Sequence, residues 1–335
     1  MSKEKEEQPT LAELQDQALG LALASIEKEF GAGAIQQYGH GKPIPGVEFF
    51  SSGCYGLDIA LGNGYAKGRI VEAFGPPSSG KTTLSLLAIA NAQKTDPRRT
   101  VFIDVEHALD PTYAEKLGVD MSRVLISQPD NGEEALNIMD TLLKSGAVSI
   151  IVLDSIAALV SRKELEGEIG DQSMGVQARM MSQTMRMVVG NAKKYNTTLF
   201  LLNQLRSKIG IVYGNPEVTS GGASVGYYAS QRLDIRRKDK VENNNEVVGF
   251  QTKVKIIKNK VAPPFREAEF TIVFGEGIDW ALDLVSAGVA AGHVEKAGAW
   301  YSFNGERISQ GEPKAAQYFR DYPEKAALLK AKLLG

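Results

Sequence analysis

The 335-residue chain has one cysteine, three histidines, two tryptophans and a net charge of only −2. The single Cys54 excludes an intrachain disulfide and is expected to be a small packed hydrophobe. His40, His107 and His293 are far apart in the chain, so with one thiol they leave no plausible zinc set. No apolar run approaches the roughly 18 residues of a membrane span. The opening MSKEKEEQPT lacks the apolar core of a signal peptide, so the cytoplasm is the expected compartment. With Lys and Arg balanced by Asp and Glu, any surface for a polyanion must be local. Ordinary apolar and charged fractions mark a folded globular protein.

Glycine, in contrast, is plentiful, and two glycines stand in GPPSSGKTT, Gly75 to Thr83. Gly75 and Gly80-Lys81-Thr82 have the spacing of a P-loop. The glycines let the backbone curl, and the N–H groups of Ser78, Ser79, Gly80, Lys81, Thr82 and Thr83 can then point at one anion. Lys81 would reach the β- and γ-phosphates of ATP, and the Thr82 hydroxyl would ligate Mg2+. RIVEAF before the loop reads as a strand and TLSLLAIANAQK after it as a helix, the order a P-loop requires. Pro76 and Pro77 have no N–H, but they precede the donating run and are expected to stiffen the loop's rising limb.

From about Val47 to Asp279, apolar strands alternate with helices, which predicts an α/β sheet. RIVEAF, TVFIDV, VLISQ, VSIIVLD and TTLFLLN are continuous apolar runs expected of buried parallel strands, whereas QRLDIRR and FQTKVKIIK alternate. Ligands of such sheets sit at the strands' carboxyl ends. Asp154 ends one strand and fits the acid that orients Mg2+. Glu106, a step past another, could polarise an attacking water as general base. Gln204 could contact the γ-phosphate, and Asp110 and Tyr113 could flank a nucleobase. The competing use of a strand-end acid is a helix N-cap, and for Asp110 both readings stand. His107 is expected to pack or orient.

Two segments exceed ordinary connections: Glu164 to Gln177, and the Gly-rich Leu205 to Gly226. The second carries Arg206 and Lys208 beside Ile209, then Gly221 and Gly222. Basic groups and small residues suit a phosphodiester backbone, and an apolar side chain can wedge between bases. A plain surface loop is the alternative. Between them, Arg179, Ser182, Gln183 and Arg186 form one polar helical stripe, with Met181, Met185, Val188 and Val189 on the core side. The stripe is either a nucleic-acid contact or a solvated face.

GPPSSGKTT, FIDVEHALDPTY, SIIVLDSIAAL, EGEIGDQSMGVQARMMSQ, NQLRSKIGIVYGNPEVTSGG, YYASQRLDIRR, KNKVAPPF and KAGAWYSFNGERISQG, in this order, resemble the bacterial RecA recombinase family. The likeness covers roughly Leu19 to Gly311. It implies an ATP-bound helical filament on single-stranded DNA, pairing with homologous duplex, strand exchange and DNA-stimulated ATP hydrolysis. It also implies that the filament triggers self-cleavage of a LexA-type repressor in the DNA-damage (SOS) response. By resemblance, Lys81, Glu106 and Gln204 are catalytic, Gln204 coupling the γ-phosphate to the second loop. Met174, Arg179, Ser182, Arg186, Ile209, Gly221 and Gly222 match DNA-contacting positions. Lys258 and Lys260 match lysines that reach the ATP of the adjacent subunit, and Tyr227 falls at the same seam. The chain has Pro77 where the family carries Glu, and Gly226-Tyr227 where Lys and Phe are common. It ends LLKAKLLG rather than in an acidic tail, which implies readier loading onto duplex DNA.

The expected architecture is α/β. Residues 1–43 form a helical oligomerisation arm and linker, with Leu11 to Phe30 amphipathic. Residues 44–279 form a P-loop NTPase core with a mostly parallel sheet. Residues 280–335 form a small α/β domain with Trp280, Trp300 and Tyr301 in its core and a hairpin at Asn304-Gly305. A small-molecule P-loop kinase, a ring-forming ATPase and a passive DNA-coating protein are the alternatives. The kinase needs no pair of long basic loops, and the coating protein needs no Glu106.

Overall fold

The computed structural model describes residues 10–31, 34–35, 46–168, 175–207, 217–243 and 245–334. Met174, Lys208 and Ile209 lie outside them. The chain divides into two compact units, Met1–Val47 and Glu48–Gly335.

In the first unit the helix Leu11–Phe30 begins at a capping box. The Thr10 side chain accepts from Glu13 N–H while the Glu13 carboxylate accepts from Thr10 N–H at 2.7 Å. Gly31, at φ 90°, ends the helix where a side chain would be strained.

The second unit is built on a ten-stranded sheet. Its strands lie in the spatial order Gly277–Ile278, Glu267–Val273, Glu246–Asn259, Gln231–Asn243, Ile70–Gly75, Thr198–Ser207, Val148–Asp154, Arg99–Asp104 and Val124–Ser127. Glu217–Thr219 adds antiparallel to Thr198–Ser207. The ladders from Gln231–Asn243 through Ile70–Gly75 to Val124–Ser127 are parallel. The remaining long strands form an antiparallel extension.

Alternation assigns the faces. In Val148–Asp154, Ile150 and Val152 enter one apolar cluster with the helix Lys81–Thr95, and Ile151 and Leu153 enter the other with Met181, Met185 and Val188 of the helix Val176–Lys194. Both faces are covered, so the parallel strands read as unbroken apolar runs.

Several expectations are corrected. Val124–Ser127 is a parallel strand but an edge one, and Leu125 and Ile126 are exposed. Val189 is 37 % exposed, outside the face that packs on the sheet. The second long segment begins later than expected, because Leu205 to Ser207 extend their strand by pairing with Glu217 to Thr219.

The C-terminal part has its own core around Leu284, Tyr301, Phe303 and Phe319, with the three-stranded antiparallel sheet Val294–Ala297, Trp300–Phe303 and Glu306–Gln310. Asn304 and Gly305 turn the second hairpin with φ of 51° and 78°, as the sequence predicts. Tyr301 is buried there, but Trp280 and Trp300 are exposed, lying beneath Lys330 and Arg307 at 4.7 and 4.5 Å. Each ring thus serves a cation rather than the core.

Cys54 is buried but not simply apolar. Its thiol lies 3.1 Å from Asp283 Oδ1, and the same carboxylate accepts from Tyr55 N–H at 2.5 Å and Gly56 N–H at 3.2 Å. Asp283, from the helix Trp280–Ala290, therefore caps the helix Tyr55–Leu61. Burial pushes its carboxyl up to about 6, against the opposing hydrogen bonds. The folded protein then holds this proton more tightly than the unfolded chain, so Asp283 contributes stability at low pH that is lost as pH rises toward 6. Relative to Asp283→Asn, wild-type stability is expected to decline between about pH 4 and pH 6 and then level off. Paired urea titrations check this, and a difference that does not vary with pH contradicts it.

Candidate functional site

The loop after Ile70–Gly75 is shaped by contacts that exclude side chains. A Cβ on Gly75 would collide with the Ile235 carbonyl, and one on Gly80 would lie 2.5 Å from Ile272 Cδ1. Ser78 and Gly80 both have positive φ, 55° and 97°. The helix Lys81–Thr95 starts directly from this turn with no side-chain cap, which leaves its first N–H groups directed at the cleft. Ser79 Oγ is buried without a partner.

Lys81, itself buried, reaches back to the carbonyls of Gly75 and Pro76 at 3.2 and 2.7 Å. Burial lowers its pKa, and Asp154 and Glu106 oppose that shift. The two prolines thus supply a carbonyl and rigidity without removing a donor from the run that follows.

Thr82 Oγ1 donates to Asp154 Oδ2 at 2.9 Å. Burial pushes the Asp154 carboxyl up to about 6; the Thr82 bond opposes this, and the negative charges of Glu106 and Asp104 add to it. A hydroxyl and a carboxylate side by side are hard oxygen ligands of the kind Mg2+ takes. Uncapped N–H groups, the orphan Ser79 hydroxyl and this oxygen pair together fit a magnesium nucleotide.

Glu106 stands just past Arg99–Asp104. Its Oε1 accepts from Ser155 Oγ at 2.5 Å and from Gln204 Nε2 at 3.0 Å. The turn beneath it is held by Asp104, which accepts from the N–H groups of Ala108 and Leu109 and from Gln128. Asp110 is the N-cap of Pro111–Lys116, accepting from Thr112 and Tyr113 N–H, and it also lines the cleft. The N-cap bonds therefore do not remove Asp110 from the cleft. The Tyr113 hydroxyl is 2.9 Å from Thr83 Oγ1, and burial raises its pKa. His107 is exposed at φ 55° and is not among the core residues, so of its two expected uses packing is not met.

Pro77 to Thr83, Glu106, Asp110, Tyr113, Asp154 and Gln204 line one cleft of about 640 Å3, within the usual range for ligand sites. Lys116, Phe250 and Ile272 to Gly275 complete its wall. They come from a helix and from the antiparallel extension, and no local motif marks them. Ser155, next to a strand-end acid, could have been read from its position alone.

Lys258 and Lys260 are not in this cleft. Lys258 Nζ donates to the carbonyls of Gly226 and Tyr227 at 2.7 and 2.9 Å, and Lys260 Nζ lies 3.4 Å from Tyr227 O. Burial lowers the Lys258 pKa, helped by Lys260 and Arg232. Tyr227 is exposed beside them.

Behind Gln204 lies a polar network. Asn203 Oδ1 accepts from Gln204 N–H at 2.9 Å, and Asn203 Nδ2 donates to Glu72 at 2.9 Å and to the Ser220 carbonyl at 3.0 Å. Glu72, fully buried, also receives Arg232 at 2.5 Å. Ser220 N–H donates to the Gln204 carbonyl at 3.3 Å, and Arg206 Nε to Ser220 Oγ at 3.3 Å. Gly221 and Gly222 then seat on the helix Val176–Lys194. A Cβ on Gly221 would lie 2.7 Å from Ile156 Cγ2, and one on Gly222 2.9 Å from Ala178 Cβ. Their smallness thus serves packing on protein. Arg179, Gln183 and Arg186 are exposed on that helix, with Ser182 half-buried.

Glu72→Ala leaves Arg232 and Asn203 without their buried acceptor and is expected to cost about 3 kcal/mol. Urea unfolding checks it; a loss like that of a surface pair, below about 1 kcal/mol, contradicts it.

The family model for the RecA N-terminal domain matches residues 17–279, and that for the RecA C-terminal domain matches 282–334. A relative named Protein RecA, from Colwellia psychrerythraea, is 54% identical over 319 residues, covering 95% of this chain and 92% of the relative. Phosphate-loop geometry, the sheet order and these matches agree: the chain belongs to the RecA family.

Proposed function

We propose that Lys81, Thr82, Glu106, Asp154 and Gln204 carry the ATPase step of this recombinase. As a RecA-family member the chain is a DNA-dependent ATPase. It forms a filament on single-stranded DNA, pairs it with homologous duplex, exchanges strands and promotes cleavage of a LexA-type repressor in the SOS response. The family uses ATP with Mg2+.

The geometry of the cleft supports a role for each residue. The N–H groups of Ser78 to Thr83 and Lys81 would hold the phosphates, Lys81 exchanging its carbonyl partners for phosphate oxygens. Thr82 and Asp154 would hold Mg2+, which supplies charge neutralisation on the phosphates. Glu106 would accept the proton of the attacking water, with Ser155 and Gln204 fixing its carboxylate. Asp110 and Tyr113 would flank the base.

The observation that carries the coupling is Gln204. Its amide touches the general base, while its own backbone carbonyl and N–H bond to Ser220 and Asn203 in the network beneath the second loop. A γ-phosphate that draws the Gln204 amide away would shift Ser220 to Gly222. Arg179, Ser182, Arg186, Arg206, Gly221 and Gly222, with Met174, Lys208 and Ile209, would form the DNA surface. There the two glycines set the backbone rather than a gap for phosphate. Lys258, Lys260 and Tyr227, outside the protomer's own cleft, would meet the neighbouring subunit's nucleotide. We assign residues 1–43 as the oligomerisation arm, 44–279 as the ATPase core and 280–335 as a C-terminal domain, acting in the cytoplasm. Among the described residues no helix is long and apolar enough to cross a membrane.

Glu106→Gln keeps hydrogen-bonding atoms but removes the base. It is expected to retain ATP-dependent binding of single-stranded DNA while turnover falls by about 100-fold or more. Parallel binding and phosphate-release assays test this; undiminished turnover removes Glu106 from the mechanism.

A further inference from the structure

Gln177 stands in the first turn of the helix Val176–Lys194, and its amide is used at both ends. Nε2 donates to the carbonyls of Ile156 and Leu159, at 2.8 and 3.0 Å. Oε1 accepts from Gly221 N–H at 3.2 Å. These carbonyls belong to the short turn Ile156–Ala158 and its end, immediately after Ser155, whose hydroxyl holds Glu106. Gly221 packs closely there: a Cβ on it would lie 2.7 Å from Ile156 Cγ2 and 3.2 Å from Met181 Cγ.

We propose that Gln177 is a positioning residue that forms a second link between the nucleotide site and the second DNA-facing loop, independent of Gln204. One link runs from Glu106 through Gln204 to Ser220. The other runs from Glu106 through Ser155 and the Ile156–Ala158 turn to Gln177 and Gly221. The two links reach adjacent residues, Ser220 and Gly221. Gln177 also fixes the start of the helix that carries Arg179 and Arg186, so one amide registers both basic elements against the Glu106 strand end. The bridge needs a donor pair and an acceptor on a side chain of this length. Glu would face two carbonyls with no donor, and Met would fill the space with no polar contact.

The link rests on reading Gly221 and its neighbours as the nucleotide-responsive DNA contact, and the test separates the two. The readout is the ratio of affinities for a fluorescein-labelled oligo-dT measured with a slowly hydrolysed ATP analogue and with ADP. Gln177→Met and Gln204→Ala are compared with wild type, alongside the DNA-independent ATPase and the KM for ATP. Gln177→Met is expected to lower the ratio by about tenfold while DNA-independent turnover and KM stay unchanged. The double variant is expected to fall below either single one. If Gln204→Ala lowers the ratio but Gln177→Met does not, the Gln177 link is overturned and the Gln204 reading stands. Equal weakening under both nucleotides also overturns it, since a packing defect would do the same. If neither variant moves the ratio, the loop reading falls and the link with it. Should Gln177→Met not fold, Gln177→Glu replaces it. Failure of both to fold makes Gln177 a structural staple and overturns the proposal.

Discussion

Two parallel ladders fix the geometry of the site: Gly75 pairs with Gln204, and Asp104 pairs with Asp154. In a parallel sheet the strands finish together, so the phosphate loop, the Thr82–Asp154 oxygen pair, the strand end bearing Glu106 and Gln204 share one edge. The register is held from below by Glu72, on the same strand as Gly75, through Asn203 and Arg232 on its two neighbours. That buried acid binds the three central strands by hydrogen bonds as well as by the backbone ladder. A charge so placed is costly unless every partner is present, which ties the site's alignment to the integrity of the network.

Charge is economical around the cleft. Asp154, Glu106 and Asp104 crowd its floor, and Lys81 is the buried cation that faces them. Burial, and after it the neighbouring acids, raise the Asp154 carboxyl, a shift that a bound divalent cation would oppose. Elsewhere the lysines expected at a neighbouring nucleotide, Lys258 and Lys260, lie on the carbonyls at the end of Ala223–Tyr228. Favourable dipole contacts hold them without a carboxylate that would have to be displaced.

The sequence made much of this legible, and the limits have physical causes. GPPSSGKTT is local: its spacing is its geometry, so the loop, its strand and its helix could be read directly. Asp154 and Glu106 follow apolar runs whose ends mark the edge of the sheet. Val124–Ser127 looked like its buried neighbours because apolar runs do not reveal which strand is outermost. Phe250 and Ile272 to Gly275 entered the cleft through antiparallel pairings that carry no local signal. The glycines at 221 and 222 were identified as special, but the partners that demand them are Ile156 and the helix Val176–Lys194, contacts that spacing alone does not disclose. Trp280 and Trp300 were assigned to the core on residue type, whereas cations from helix and strand neighbours cover them at the surface.

Nucleotide turnover at Glu106 and a phosphate-contacting surface near Gly221 are, on the proposed reading, one coupled device. Its most direct test is the rate of ATP hydrolysis with and without single-stranded DNA across a salt series. Strong stimulation by DNA that fades as salt rises is expected, because phosphate contacts release counterions. Hydrolysis that is indifferent to DNA at every salt concentration would contradict it.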